Sequence, residues 1–98
     1  MSQHEVRVLS WVRASDADVR SGLLGFISAE FGPWVFDGIC LRRTASGRFC
    51  LSFPARSDSA GRKHSFFRPR DNDARIEIER TILAQLGQHE DARAEVQP

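Results

Sequence analysis

No run of apolar residues in this 98-residue chain approaches the ~20 needed for a membrane-spanning helix. The opening MSQHEVRVLSW has neither the apolar stretch nor the cleavage site of an export signal, which predicts a cytoplasmic protein. Cysteine is scarce, with only Cys40 and Cys50. The two lie about equally far from a turn near Ser46, a placement open to a cross-strand disulfide. In a reducing cytosol they read instead as small buried apolar side chains. His4, His64 and His89 are scattered and share no zinc-site spacing with the cysteines, so no metal site is expected. A Gly-rich phosphate cradle, a nucleophile elbow, His-Glu-x-x-His and Cys-x-x-Cys are all missing. Asp37 stands among apolar neighbours, yet no histidine or second acid is placed to work with it, so it reads as a hydrogen-bonded or exposed carboxylate. The chain is therefore read as non-enzymatic and without a cofactor. It also lacks internal repeats and low-complexity segments.

Its size fits one domain with a thin core, because a chain this short buries only roughly 60–65% of its unfolded surface. Hydrophobic residues make up 41% and charged residues 28%, an ordinary globular balance. Apolar alternation predicts strands over 5–13, 22–31, 34–43, 48–53 and 63–68. The ASDADVRS segment breaks the first of these runs, GP at 32–33 marks a turn, and TASG at 44–47 has hairpin length. Pro54 cannot donate to a ladder and should end the fourth strand. From Asn72 to Leu86 the period changes. Ala74, Ile78, Ile82 and Leu86 recur at helical spacing, Asn72 or Asp73 is expected to cap the start, and Gly87 the end. The expected fold is α+β: a small antiparallel sheet of four to five strands, then one C-terminal helix of about 22 Å packed on one face. Residues 1–87 form the domain, and the polar 88–98 reads as a disordered tail.

The third strand divides by simple alternation into Trp34, Phe36 and Cys40 against Val35, Ile39 and Leu41. Both sides are apolar, and so are those of the second strand. One helix covers one face, which leaves the other to a second copy of the chain or to closure of the sheet on itself; burial favours a homodimer.

Charge is segregated along the chain. Residues 1–41 carry −2, residues 42–75 carry +6, and residues 76–98 carry −3. Thirteen of the fourteen cations are arginine. Arg56, Arg62 and Lys63 lie in or beside one loop, and Arg68 and Arg70 follow where the chain turns toward the helix. Guanidinium forks match phosphate oxygens in pairs, and Phe66 or Phe67, if exposed, would stack on bases. Arg75 falls within the helix's apolar stripe, four residues before Glu79. It reads either as an ion pair or as a guanidinium directed back across the sheet end toward the basic loop. These six cations are the candidate nucleic-acid contacts. The alternative is an interaction module whose arginines recognise an acidic partner protein.

The order of motifs resembles the SpoVG-like septation-regulator family of bacterial proteins, from about Val6 to Leu86. It is carried by GLLGFISAEF, WVFDGICL, GRFCLSFPAR, the loop SDSAGRKH, and FFRP before ARIEIERTIL. Phe53-Pro54-Ala55-Arg56 matches the family's strand end, and Pro69 its second proline. The resemblance implies a small dimeric α+β regulator that binds DNA or RNA, with Arg56 and Arg75 at family basic positions. A further basic helix position of the family is Glu77 here, which moves the expected contacts toward residues 56–70.

Overall fold

In the computed structural model, residues 5–89, 92 and 93 are described. Four strands pair antiparallel in chain order: β1 (Val6–Arg13), β2 (Leu23–Phe31), β3 (Trp34–Arg43) and β4 (Phe49–Ser52). A five-residue helix, α1 (Asp16–Arg20), links β1 to β2. Two short strands, β5 (Ala55–Ser57) and β6 (Lys63–Ser65), form a separate hairpin. The chain then enters α2 (Asn72–Leu86). The architecture is the expected α+β, with three differences, the first being that α1 occupies a segment that reads as a plain break. The fifth expected strand shrinks to residues 63–65, and it pairs with β5, which sequence periodicity did not reveal, rather than with the sheet.

Three irregularities decide which side chains enter the core. The β1–β2 register slips around Leu9, the β2–β3 register slips at Leu24, and a further slip sets Asp37 and Gly38 of β3 against Ser28. Gly38 has φ +79, a conformation open to glycine at little cost. An extra residue reverses the alternation beyond it. Phe36, Ile39 and Leu41 therefore share one face with Ile27, Ala29 and Leu51, where simple alternation put Phe36 opposite Ile39. Leu24, Ile39, Leu41, Ile82 and Leu86 have no exposed surface. The other face is mixed. Across it run Val12, Phe26, Cys40 and Ser52, beside a Ser28 hydroxyl that donates to Asp37 at 2.5 Å. Cys40 and Cys50 are free thiols, half-buried rather than buried.

Helix α2 buries Ala74, Ile78, Ile82 and Leu86, the stripe that spacing predicts. Its N-cap is Asp71, whose Oδ1 accepts from the Ala74 amide at 2.9 Å, one residue before the expected caps. Asp71 is itself extended, so its side chain folds forward over the first turn. Gly87 closes the helix in a right-handed conformation, and the chain continues through a turn to His89. Ala92 is fully buried in the core, so packing extends into the segment expected to be a disordered tail; residues 90, 91 and 94–98 of that tail lie outside the described residues. Ser15 caps α1 through a bond from the Asp18 amide, an S-x-x-D signature inside what reads as a plain break.

Polar side chains of α2 reach both outer strands. The Gln85 side chain accepts from the Val8 amide and donates to the Val6 carbonyl, each at 2.7 Å. At the other edge Glu79 accepts from the Leu51 amide at 3.0 Å, and Arg75 Nη1 donates to the Leu51 carbonyl at 3.3 Å. Ten residues of helix rise about 15 Å. The outer members of a four-stranded sheet stand about 14 Å apart. Helix and sheet are thus matched in width, and each edge gains a substitute partner.

Gly25 permits one further close approach. A Cβ there would clash with the Trp11 ring and meet the Val12 carbonyl oxygen at 2.7 Å. Gly25→Ala is expected to lower stability by about 1–3 kcal/mol through overpacking, read as a lower midpoint in urea.

Candidate nucleic-acid interface

The β5–β6 hairpin begins where Pro54 ends the main sheet. Every residue of both strands is exposed, so the ribbon buries nothing against the core. A two-stranded ribbon alone is marginal in water. Its order comes from its base and its tip. At the base the Phe66 amide donates to the Pro54 carbonyl at 3.2 Å. Phe67 stacks on Phe36 with ring centroids 4.0 Å apart and meets Phe53 edge-on at 5.6 Å.

The tip is organised by Asp58. Its Oδ1 accepts from the amides of Ala60 and Arg62, both at 2.9 Å. Its Oδ2 accepts from Arg62 Nε at 3.1 Å and lies 2.8 Å from His64 Nε2. The His64 side chain, then the Arg62 amide, hold the Asp58 carboxyl below its ordinary value of 3.8. Gly61, at φ +82, closes the turn.

The structure places the six candidate cations as follows. Arg56 faces His64 across the ribbon, and Lys63 faces Ser57, so Arg56 and Lys63 lie on opposite ribbon faces. Neither has a carboxylate at ion-pair distance among the described residues. Arg62 pairs with Asp58 at 3.1 Å, and Arg70 with Asp71 at 3.4 Å. Both arginines are exposed, where such pairs contribute little and exchange readily with other anions. Arg68 Nη1 donates to the carbonyls of Pro69 and Arg70. Arg75 is different. It pairs with Glu79 at 3.1 Å, the ion pair that the spacing suggests, and its second bond goes to Leu51 of β4 rather than toward the basic loop. Its Nη1 secures the β4 edge, with both of its bonds made inside the protein. Five of the six are thus brought to one region, the ribbon and the segment that follows it, though not to one plane.

That segment borders a cleft of about 240 Å³ lined by Phe31, Phe36, Phe53 and Phe67, with Arg68 and Arg70 contributing to its wall. Phe67 joins the aromatic cluster, while Phe66 is 64% exposed. Trp34, paired with Phe31 at the neighbouring turn, is 67% exposed.

A second set of cations escaped sequence reasoning. Arg42, Arg43 and Arg48 gather at the β3–β4 hairpin, the opposite end of β3 from Phe36. Arg20 of α1 is brought near by the bond from the Arg43 amide to the Gly22 carbonyl at 2.8 Å. The signal was present in the +6 middle segment, but the topology that separates it into two ends was not. Among the described residues no three of His, Cys, Asp and Glu are placed to hold a metal ion, and no described helix is long and apolar enough to cross a membrane.

No family model, curated protein or solved structure matches the chain.

Because the Asp58 carboxyl is held low, the ordered tip persists above the ordinary carboxylate range and is lost only as pH falls through the lowered value. A carboxyl-detected NMR titration should give Asp58 a midpoint under 3.8. Asp58→Ala should speed amide exchange at Ala60 and Arg62 at neutral pH while leaving α2 protected.

Proposed function

We propose that the protein is a non-enzymatic nucleic-acid-binding regulator of the SpoVG-like type, acting in the cytoplasm and contacting phosphates through the β5–β6 ribbon and the segment to Arg70. The supporting observation is the ribbon itself. It contributes no burial, it projects from the end of β4, and among the described residues it presents Arg56 and Lys63 without carboxylate partners. Arg62, Arg68 and Arg70 lie alongside. Cations on both faces of a short ribbon suit a curved polyanion better than a flat acidic protein surface, because phosphates approach from more than one side. Arg75 is assigned to fixing the ribbon's root rather than to the ligand. The motif order that resembles the SpoVG-like family agrees with this reading.

The same reading includes a homodimer. Its proposed surface is the uncovered sheet face, where Val12 is 61%, Val35 50%, Leu9 42% and Phe26 39% exposed. Pairing two such faces would remove this apolar surface from water, at about 25 cal/mol per Å². Light scattering should give twice the 11.1 kDa chain mass, and Phe26→Asp should return it to the single-chain value. A single-chain mass for the unaltered protein contradicts the dimer and leaves the ribbon assignment untouched.

For the ribbon, log affinity should fall linearly with log salt, with a slope near −0.9 for each phosphate contacted on duplex DNA. Arg56→Ala combined with Lys63→Ala should weaken binding across sequences and flatten that slope by about two contacts. An unchanged slope removes the ribbon from the interface. Absence of binding to any DNA or RNA at about 50 mM salt turns the same cations toward an acidic protein partner.

A further inference from the structure

We propose that the phenylalanine-lined cleft beside Arg68 and Arg70 takes an unstacked nucleobase, which makes single strands the preferred ligand over duplex. This inference rests on the nucleic-acid reading above and deepens it. Four aromatic rings converge there: Phe31 meets Phe36 at 4.9 Å, Phe36 stacks on Phe67 at 4.0 Å, and Phe67 meets Phe53 at 5.6 Å. Ala74 and Ile78 of α2 complete the floor. Such a wall offers aromatic and aliphatic surface and few hydrogen-bonding groups, so it accommodates the faces of any base without reading its edges. A base inside a duplex keeps its faces stacked and cannot enter; a base in a single strand can.

Charge complementarity identifies the occupant. A purely apolar guest would not need two guanidinium groups at the wall, whereas a nucleotide carries a phosphate on each side of its base. Arg68 and Arg70 are exposed, and their present partners are their own backbone carbonyls and a solvated carboxylate, all replaceable by phosphate. Phe66 directly precedes Phe67, and Trp34 shares the sheet face of Phe31 through their paired positions. Basic residues interleaved with exposed rings form the surface on which successive bases stack. The duplex alternative would insert the ribbon into a groove, and it leaves this cleft and Trp34 without a role.

The test compares a fluorescent mixed-sequence DNA strand of about twelve nucleotides with its own duplex, by anisotropy at one salt concentration. Single strand should bind about tenfold tighter or more, the size of one stacked base. Ala74→Leu, which fills the cleft and keeps every charge, should bring single-strand affinity down to the duplex level and leave duplex affinity unchanged. Phe67→Leu carries the same expectation if the first variant does not fold, as judged by its melting curve. Equal or tighter binding of duplex overturns the cleft assignment and leaves phosphate binding standing. Retention of the single-strand preference by a folded variant also overturns it. Absence of binding to both probes overturns this inference together with the reading beneath it.

Discussion

Side chains of α2 take the place of missing strands at both edges of the sheet, and the position of the whole basic region follows from that. Gln85 completes β1 at Val6 and Val8, while Arg75 and Glu79 complete β4 at Leu51. A helix held at two points about 15 Å apart cannot slide or rotate on the sheet without breaking backbone hydrogen bonds. Its N-terminus is thereby fixed near the end of β4. The chain between Pro54 and Asp71 must leave and return over a short distance, which it does as a hairpin. Phe67 is driven onto Phe36, and the arginines on either side of it are carried to the same corner. Arg75 thus acts through position: it anchors the strand from which the ribbon grows.

Burial alone explains the sheet and the helix but not the ribbon. The sheet has one face packed on α2 because slips at Leu9, Leu24 and Gly38 bring apolar side chains round to it. The ribbon has no packed face at all, and its tip is kept in shape by a single carboxylate, Asp58. An exposed element organised by hydrogen bonds rather than by a core is the kind of surface that binding partners use. The two cationic ends of the molecule differ in this respect. The end with Arg42, Arg43 and Arg48 is the β3–β4 hairpin, whereas Arg68 and Arg70 at the other end adjoin a cleft lined by four phenylalanines.

Much of this was legible from the residues. The span of α2 was recoverable to the residue, because Ala74, Ile78, Ile82 and Leu86 repeat at helical spacing and Pro69 and Gly87 bracket them. The strand cores were equally plain. Besides α1 and the burial of Ala92, three features were hidden. A bulge moves side chains between faces without altering local composition, so Phe36 was placed on the wrong side of Ile39. Strand β5 is three exposed residues, too short for any periodicity to register. The Asp71 cap lies just outside the apolar pattern that marks the helix. The site was half legible: the density of arginine from 56 to 70 could be counted, but the assignment of Arg75 to an edge strand depends on a contact 24 residues away in sequence.

On the proposed reading, polyanion binding belongs to the ribbon and the phenylalanine cleft, not to positive charge in general. Backbone-amide NMR of the full chain, titrated with a short single-stranded oligonucleotide, tests it most directly. Chemical-shift changes concentrated between Phe53 and Arg70, with Phe31, Trp34 and Phe36, are what the account predicts. Changes concentrated instead at Arg20, Arg42, Arg43 and Arg48, with the 53–70 segment unmoved, would contradict it.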